Sequence, residues 1–369
     1  MVKPVRKNSS KNPPIFSHEF IIQNHADIVS CVAMVIVIGL MVQVTAPIAS
    51  LFIALQHNVT EAGEVPLYGP GYKDWAAVFF YSLICIVIHA IIQEYVLDKV
   101  SKRLHLSKSK LAIFTNSGQL AVFYLCSTIW GFDIVLRERF IPEISLIWNN
   151  YPSPMTFMMK LYFIVQLAYC LHELPELYFQ KVKKEEYTSR ITRSLAGVVL
   201  ITIPYFLNFN RLLICLLVLH YASELVLHIG QLIQTVDRDD KFTKVTGIVS
   251  KIVLNLARLG SIIIAVLTLW FGLAQGEQQE LNIQTGYFNT PLIRLAILGG
   301  ILALQMYLTF NYINQELQLI AKNSESSGGA VASKGKKKDK SKKTKKSDES
   351  DLPEVDQNTN KNLRKQKVK

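Results

Sequence analysis

Long stretches without a charged residue are the feature that most restricts how this chain can fold. Because a helix rises 1.5 Å per residue, roughly 20 apolar residues cross the 30 Å hydrocarbon core of a bilayer. Six charge-free stretches approach or exceed that length: 28–60, 75–93, 111–132, 194–210, 259–276 and 295–315. Two more apolar stretches, 161–180 and 212–236, are interrupted only by Glu173, Glu176 and Glu224. Lipid leaves no backbone amide partners, and the stretches lack the alternation of a barrel. The sequence therefore predicts an all-α, polytopic membrane bundle of about eight helices over residues 28–320, with a first span near 28–50.

The remaining charges are unevenly distributed. Only 18% of the 369 residues are charged, against about a quarter in typical soluble domains. Nearly a third of those charges lie after residue 321, so the rest of the chain has too few to cover a water-soluble surface. This argues against a soluble enzyme. Residues 321–369 are rich in lysine and poor in large apolar side chains, which predicts a disordered tail.

The distribution of Lys and Arg predicts the orientation. Counting alternate connecting segments without the tail, 18 basic residues fall on the side of the termini and 6 on the other. By the positive-inside rule both termini are cytosolic, and residues 1–27 form a cytosolic segment. A glycosylation sequon at Asn58 then lies on the non-cytosolic side, whereas the sequon at Asn8 lies in the cytosol and stays unmodified.

The cytosolic tail carries two further signals. Nine lysines within residues 334–346 can attract phosphate surfaces, so anionic lipid headgroups and ribosomal RNA are candidate partners, beside a solvated tail with no partner. Lys365 and Lys367, fifth and third from the end, are typical of a dilysine retrieval signal of the endoplasmic reticulum.

Ionisable residues inside the predicted spans are costly in lipid and are therefore functional candidates. In the sixth span, His220, Glu224 and His228 follow one another at intervals of four and lie near one face of a helix. Two imidazoles around a carboxylate can bind a metal or relay protons. A hydrogen-bonded seam to neighbouring helices is the favoured interpretation, and no metal is predicted.

The fourth predicted span ends in a polar group. His172 and Glu176 share a helix face, and Pro175 between them is expected to kink or end the helix. The pair indicates either a polar cavity open to the cytosol or an ordinary helix end among the headgroups. His89 in the second span and Arg258 in the seventh are possible partners, and Glu224 or Glu176 can supply a carboxylate to Arg258.

Several segments resemble the translocating-chain-associated membrane protein (TRAM) family over about residues 10–320. They are Ser17-His18-Glu19-Phe20, residues 23–31 (QNHADIVSC), residues 89–95 (HAIIQEY), Gln166-Leu167-Ala168-Tyr169, and His172 with residues 175–181 (PELYFQK). The resemblance implies a multi-pass protein of the endoplasmic reticulum membrane beside the Sec61 channel. There it contacts signal sequences and helps nascent chains enter the membrane, without a cofactor.

The same resemblance implies a TLC-domain body shared with ceramide synthases, which raises an enzymatic alternative. Those enzymes carry a His-His pair at the start of the fifth span and two aspartates on the sixth. Here Arg193 and Ser194 occupy the first positions, and Tyr221 and Glu224 the second. Arginine cannot replace imidazole as a general base at physiological pH. We therefore expect no enzyme activity, with a lipid acyltransferase or lipid-binding protein as the alternative and a proton-coupled transporter as a third hypothesis.

Overall fold

The computed structural model describes residues 17–60, 65–180, 184–237, 241–276 and 278–332, without the side chains of 184–186 and 319–332. The chain divides into two units, residues 1–310 and 311–369. Residues 334–346, for which phosphate-bearing partners are predicted, lie outside the described residues. So do Lys365 and Lys367 of the predicted retrieval signal, and so does Asn8.

Helices lie at all eight predicted segments. Their bounds are α1 His18–Gln23, α2 His25–Gly39, α3 Ala46–Ile53, α4 Asp74–Ile91, α5 Asp98–Leu104, α6 Lys108–Arg137, α7 Phe157–Phe179, α8 Lys184–Phe206, α9 Asn210–Val236, α10 Lys241–Val266 and α11 Pro291–Ala332. A π-helical turn, Ile92–Leu97, joins α4 to α5, and another, Leu267–Gly272, follows α10. The chain is an all-α membrane protein.

Five helical segments in the described part are long and apolar enough to cross a membrane: Asp74–Leu104, Lys108–Arg137, Asn210–Val236, Lys241–Gln275 and Pro291–Gln318. Helices α7 and α8 do not belong to this set, and α2 is shorter than a full span. The count of eight spans stays a prediction.

The first predicted span is not one continuous helix. Helix α2 ends at Gly39 and α3 begins at Ala46, and the hydroxyl of Thr45 between them donates a hydrogen bond to the Gly39 carbonyl at 2.8 Å. Pro47 lies in the first turn of α3, where a missing backbone N–H costs nothing. The side chain of Thr45 thus satisfies one carbonyl at the interruption.

Two other helix ends bear on the predictions. Helix α7 continues past Pro175 to Phe179, so of the two expected effects of this proline the helix end is not observed there. Helix α11 continues beyond residue 320 to Ala332, and the disorder predicted for the tail stays a prediction. Residues 319–322 (LIAK) favour helix, which allows α11 to continue past its apolar stretch.

The core lies where α7 packs between α4 and α8, with α6 and α9 beside it. Its largest fully buried side chains include Tyr162 and Phe163 of α7 and Tyr205 of α8. Helix α6 approaches closely at Gly131, where an added Cβ would lie 2.6 Å from Val218 and 3.0 Å from the Tyr162 hydroxyl. Glycine is therefore required at this helix crossing.

Short strands close the opposite end of the bundle from the α7 C-terminus. Strand β1, Leu67–Tyr68, pairs antiparallel with β2, Met155–Thr156, and β3, Leu281–Asn282, pairs antiparallel with β4, Tyr287–Phe288. The registers place Leu67 opposite Thr156 and Leu281 opposite Phe288. These strand pairs lie at the end that the charge pattern assigns to the non-cytosolic side.

Candidate functional site

A polar cavity of about 350 Å³ lies where the C-terminal halves of α4 and α7 meet the N-terminal halves of α6 and α8. These helix halves share the end of the bundle that the charge pattern assigns to the cytosol. The polar lining residues are His89, Thr115, Asn116, Gln119, Tyr169, His172, Glu173, Glu176, Gln180, Arg190 and Arg193. His172 and Glu176 both line this cavity, while its opening to the cytosol stays a prediction.

Side-chain amides link two of the predicted residues in this cavity, His89 and Glu176, and His172 lies beside His89. The Gln180 amide donates to Nε2 of His89 at 2.8 Å and to Oε2 of Glu176 at 3.1 Å. The Gln119 amide donates to the His89 carbonyl at 3.0 Å, and the His89 and His172 ring centroids are 5.6 Å apart. The π-helical turn begins three residues after His89, and such turns are frequent at functional sites.

The N-terminal helices pack on the end of α7 beside this cavity. The ring of His25 stacks on Phe179 with centroids 4.6 Å apart, and its Nε2 lies 3.8 Å from Oε1 of Glu176. His18 makes an edge contact with Tyr178 at 5.1 Å. The N-terminal, second-span and fourth-span segments that carry the family resemblance, distant in sequence, therefore converge on one site.

The positions corresponding to the catalytic His pair form structural contacts. The Arg193 guanidinium lies 3.5 Å from Oε1 of Glu173, and the Ser194 hydroxyl donates to the Cys170 carbonyl. A guanidinium is a permanent hydrogen-bond donor and does not accept a proton. Arg193 and Ser194 can therefore position a carboxylate or bind an anion, and these two residues supply no general base.

A second polar cluster lies between α9, α10 and α11. Arg258 is 8% exposed at its side chain and lies 3.3 Å from Glu224, 3.3 Å from Nδ1 of His220 and 3.3 Å from Oε1 of Gln305. His220 Nδ1 also lies 3.8 Å from Glu224. Of the two carboxylates considered as partners of Arg258, the one that pairs with it is that of Glu224.

His228 does not join this cluster. Its ring stacks at 5.5 Å on Tyr124 of α6, while His220 and Glu224 face Arg258. Two steps of four residues rotate a side chain by about 80° around the helix, which is enough to reach a different neighbour. Among the described residues, no group of three or more His, Cys, Asp or Glu side chains could hold a metal ion.

A buried ion pair at the other end of the bundle was not predicted. Lys160, counted in the sequence as a connecting-segment charge, is fully buried, with its ammonium 2.8 Å from Asp74. It also donates to the carbonyls of Gln56 and Gly69 at 2.7 Å each. Asp74 in turn accepts from the Tyr205 hydroxyl at 2.8 Å. Together these contacts link the connecting segment that precedes α4 to the helices α4, α7 and α8.

This connection also packs tightly around His57. A Cβ on Gly71 would overlap the His57 ring, so only glycine fits there. Partial burial lowers the pKa of His57, helped by the Lys160 charge and opposed by that of Asp74. An imidazole with a lowered pKa therefore lies near the buried pair.

The predicted glycosylation site lies on this connection. Asn58 is exposed, its side-chain oxygen accepts from the Thr60 amide at 2.9 Å, and its backbone bridges Tyr68. We expect glycosidase treatment of the protein from microsomes to remove the mass of one glycan, and Asn58→Gln to abolish that shift. Modification at Asn8 instead would contradict the predicted orientation.

Comparison with known proteins places the chain in a family. The model of the TLC domain matches residues 113–314, which include the cavity helices α6 to α8 and the Arg258 cluster. Translocating chain-associated membrane protein 2 of Homo sapiens is 41% identical over 318 residues, which cover 85% of each chain. This chain belongs to the translocating chain-associated membrane protein family. The protein of the same name from Mus musculus is 40% identical, again over 85% of each chain.

A more distant relative bears on the enzymatic alternative. Ceramide synthase 4 of Mus musculus is 33% identical over 108 residues, which cover 29% of this chain and 27% of that one. The resemblance to the TRAM family and its TLC-domain body is thus confirmed. The similarity to this lipid-modifying enzyme extends over only part of the chain.

Proposed function

We propose that this chain is a non-enzymatic protein of the endoplasmic reticulum membrane, with both termini in the cytosol, that assists Sec61-dependent translocation and insertion of nascent chains. Two relatives named for association with translocating chains, at 40% identity or more over 85% of the chain, support this role. The Lys-rich tail would contact ribosomal RNA or anionic headgroups, and Lys365 and Lys367 would serve retrieval.

The observation that carries the proposal is the polar cavity at the bundle end near α1 and α2. An Asp, Lys or Arg in a lipid-embedded helix costs about 2.5–3.5 kcal/mol at its centre on insertion scales, and less towards its ends, where this cavity lies. A signal sequence or spanning segment with such a residue is stabilised wherever it contacts hydrogen-bonding side chains in place of lipid. His89, His172 and Glu176 in the cavity, and His220 and Glu224 beside Arg258, provide such groups; His228 lies nearby on Tyr124.

The decisive experiment is photocrosslinking from a nascent signal sequence to this protein in microsomes. We expect His172→Ala/Glu176→Ala to reduce crosslinking and translocation of a weak signal by about tenfold, the effect of roughly 1.4 kcal/mol, and to leave a strong signal unchanged. A matched control is Glu94→Ala/His105→Asn, which alters exposed residues at the same end. Asn is chosen because His105 has a positive φ of 49°.

Equal handling of the weak signal by both variants would refute the role of the cavity. The partial match to a ceramide synthase favours acyl transfer as the second candidate. Acyl-CoA-dependent product formation by the purified protein would support it, whereas the Arg193–Glu173 pair in place of a histidine base leads us to expect none.

A further inference from the structure

Two residues that line the cavity each have a carboxyl oxygen without a hydrogen-bond partner among the described residues. These oxygens are Oε2 of Glu173 and Oε1 of Glu176, and both are buried. The Glu176 residue is 5% exposed, and its Oε1 lies 3.8 Å from His25, beyond hydrogen-bond distance. Leaving a buried acceptor unsatisfied is costly, so this wall of the cavity is suited to a ligand that donates hydrogen bonds.

The same cavity is also lined by positive charge. Helix α8 contributes Arg190 and Arg193 to the same cavity, both within the first three turns of that helix. Arg193 contacts Glu173 through one nitrogen, and a guanidinium has five N–H donors, so further donors remain for an anion. Acidic acceptors on α7 and cationic donors on α8 thus line the same cavity.

The helices that line the cavity also expose apolar surface. Close in sequence to its lining residues, large apolar side chains are between 48% and 50% exposed: Ile88 and Ile91 of α4, Ile113 of α6 and Leu195 of α8. Polar groups at helix ends beside exposed apolar surface lie at the depth of lipid headgroups. The cavity volume of about 350 Å³ is within the roughly 300–1,000 Å³ of small-molecule sites.

We propose that this cavity binds the headgroup of a zwitterionic phospholipid with a primary ammonium, with the ammonium at Glu173 and Glu176 and the phosphate at Arg190 and Arg193. A primary ammonium has three N–H donors for the two unsatisfied carboxyl oxygens, whereas a quaternary ammonium has none. Guanidinium groups bind phosphate through paired charge-assisted hydrogen bonds. The site therefore selects phosphatidylethanolamine over phosphatidylcholine, and does so independently of any role in translocation.

The test reconstitutes the full-length protein in bilayers with equal amounts of phosphatidylethanolamine, phosphatidylcholine and phosphatidylglycerol, and identifies the retained lipids by native mass spectrometry. We expect phosphatidylethanolamine to be enriched about tenfold over phosphatidylcholine. Glu176→Gln, which keeps the size of the side chain, is expected to bring that ratio close to one. Glu94→Gln, an exposed carboxylate at the same end, is expected to leave it unchanged.

Equal retention of the ethanolamine and choline lipids by the wild-type protein would overturn the proposal without any variant, and so would retention of no lipid. Preferential retention of phosphatidylglycerol, unaffected by Glu176→Gln, would show an arginine-only anion site and also overturn it. In a separate experiment, soluble glycerophosphoethanolamine is added to the protein at the same concentration as the lipid. Displacement of the lipid would exclude the membrane lipid as the ligand. None of these readouts depends on translocation, so each proposal can fail alone.

Discussion

We expect Lys160→Met to lower the free energy of unfolding by about 3–5 kcal/mol, the usual cost of breaking one side of a buried ion pair. The Lys160 side chain is 0% exposed, and its ammonium contacts Asp74, Gln56 and Gly69. Methionine fills the space of the stem but leaves the Asp74 carboxylate and two carbonyls without this donor. Denaturation in mixed detergent micelles measures the change.

The neighbouring exposed residue provides the control for this prediction. Lys73→Met removes the same charge one residue before Asp74, and we expect it to change stability by less than about 0.5 kcal/mol. Adding Asp74→Asn to Lys160→Met removes the uncompensated carboxylate while Asn keeps an acceptor for Tyr205, so part of the loss is expected to return. Equal stability of Lys160→Met and Lys73→Met would show that the pair is not needed for folding.

The positions of the helices follow from the sequence because the constraint is local. A charge-free stretch of sufficient length must be helical in lipid, whatever surrounds it. Hydropathy does not show the interruption between α2 and α3, because residues 40–45 are nearly as apolar as their surroundings. The available signals were Gly39 at the end of α2 and Pro47 in the first turn of α3, whereas the hydrogen bond of Thr45 depends on the fold.

The sequence predicts which residues are candidates for the site, but it does not predict which of them contact one another across helices. Spacing placed His172 near Glu176 and His220 near Glu224, since helix periodicity fixes such neighbours. That His89 joins the first pair through Gln180, while His228 leaves the second for Tyr124, depends on packing between helices distant in sequence. The same holds for His25 on Phe179.

Lys160 shows why a charge near a span end is ambiguous. Sequence alone gives the same pattern for a solvated lysine in a connecting segment and for one whose ammonium is enclosed by carbonyls. Here the enclosing groups come from Gln56 and Gly69, which only the tertiary fold brings to α7. Its position four residues into the helix, ahead of an uninterrupted apolar run, was the available signal.

The second large effect is expected at Arg258. Arg258→Leu leaves Glu224 without its guanidinium, and an unpaired charge in a membrane helix costs about 2.5–3.5 kcal/mol on insertion scales. His220 Nδ1 still lies 3.8 Å from Glu224 in this variant and compensates part of this cost. We therefore expect a loss of about 2 kcal/mol, smaller than at Lys160, where the lost contacts are fully enclosed.

A double-mutant cycle with Glu224→Leu separates the pair from its surroundings. We expect Arg258→Leu/Glu224→Leu to be more stable than the sum of the single changes predicts by about 1–2 kcal/mol, because the double variant leaves neither charge unpaired. Asn255→Leu, on the exposed face of α10 one turn earlier, controls for added apolar surface and is expected to be neutral. Strictly additive losses would mean that Arg258 is stabilised by Gln305 and His220 rather than by Glu224, since both also lie 3.3 Å from its guanidinium.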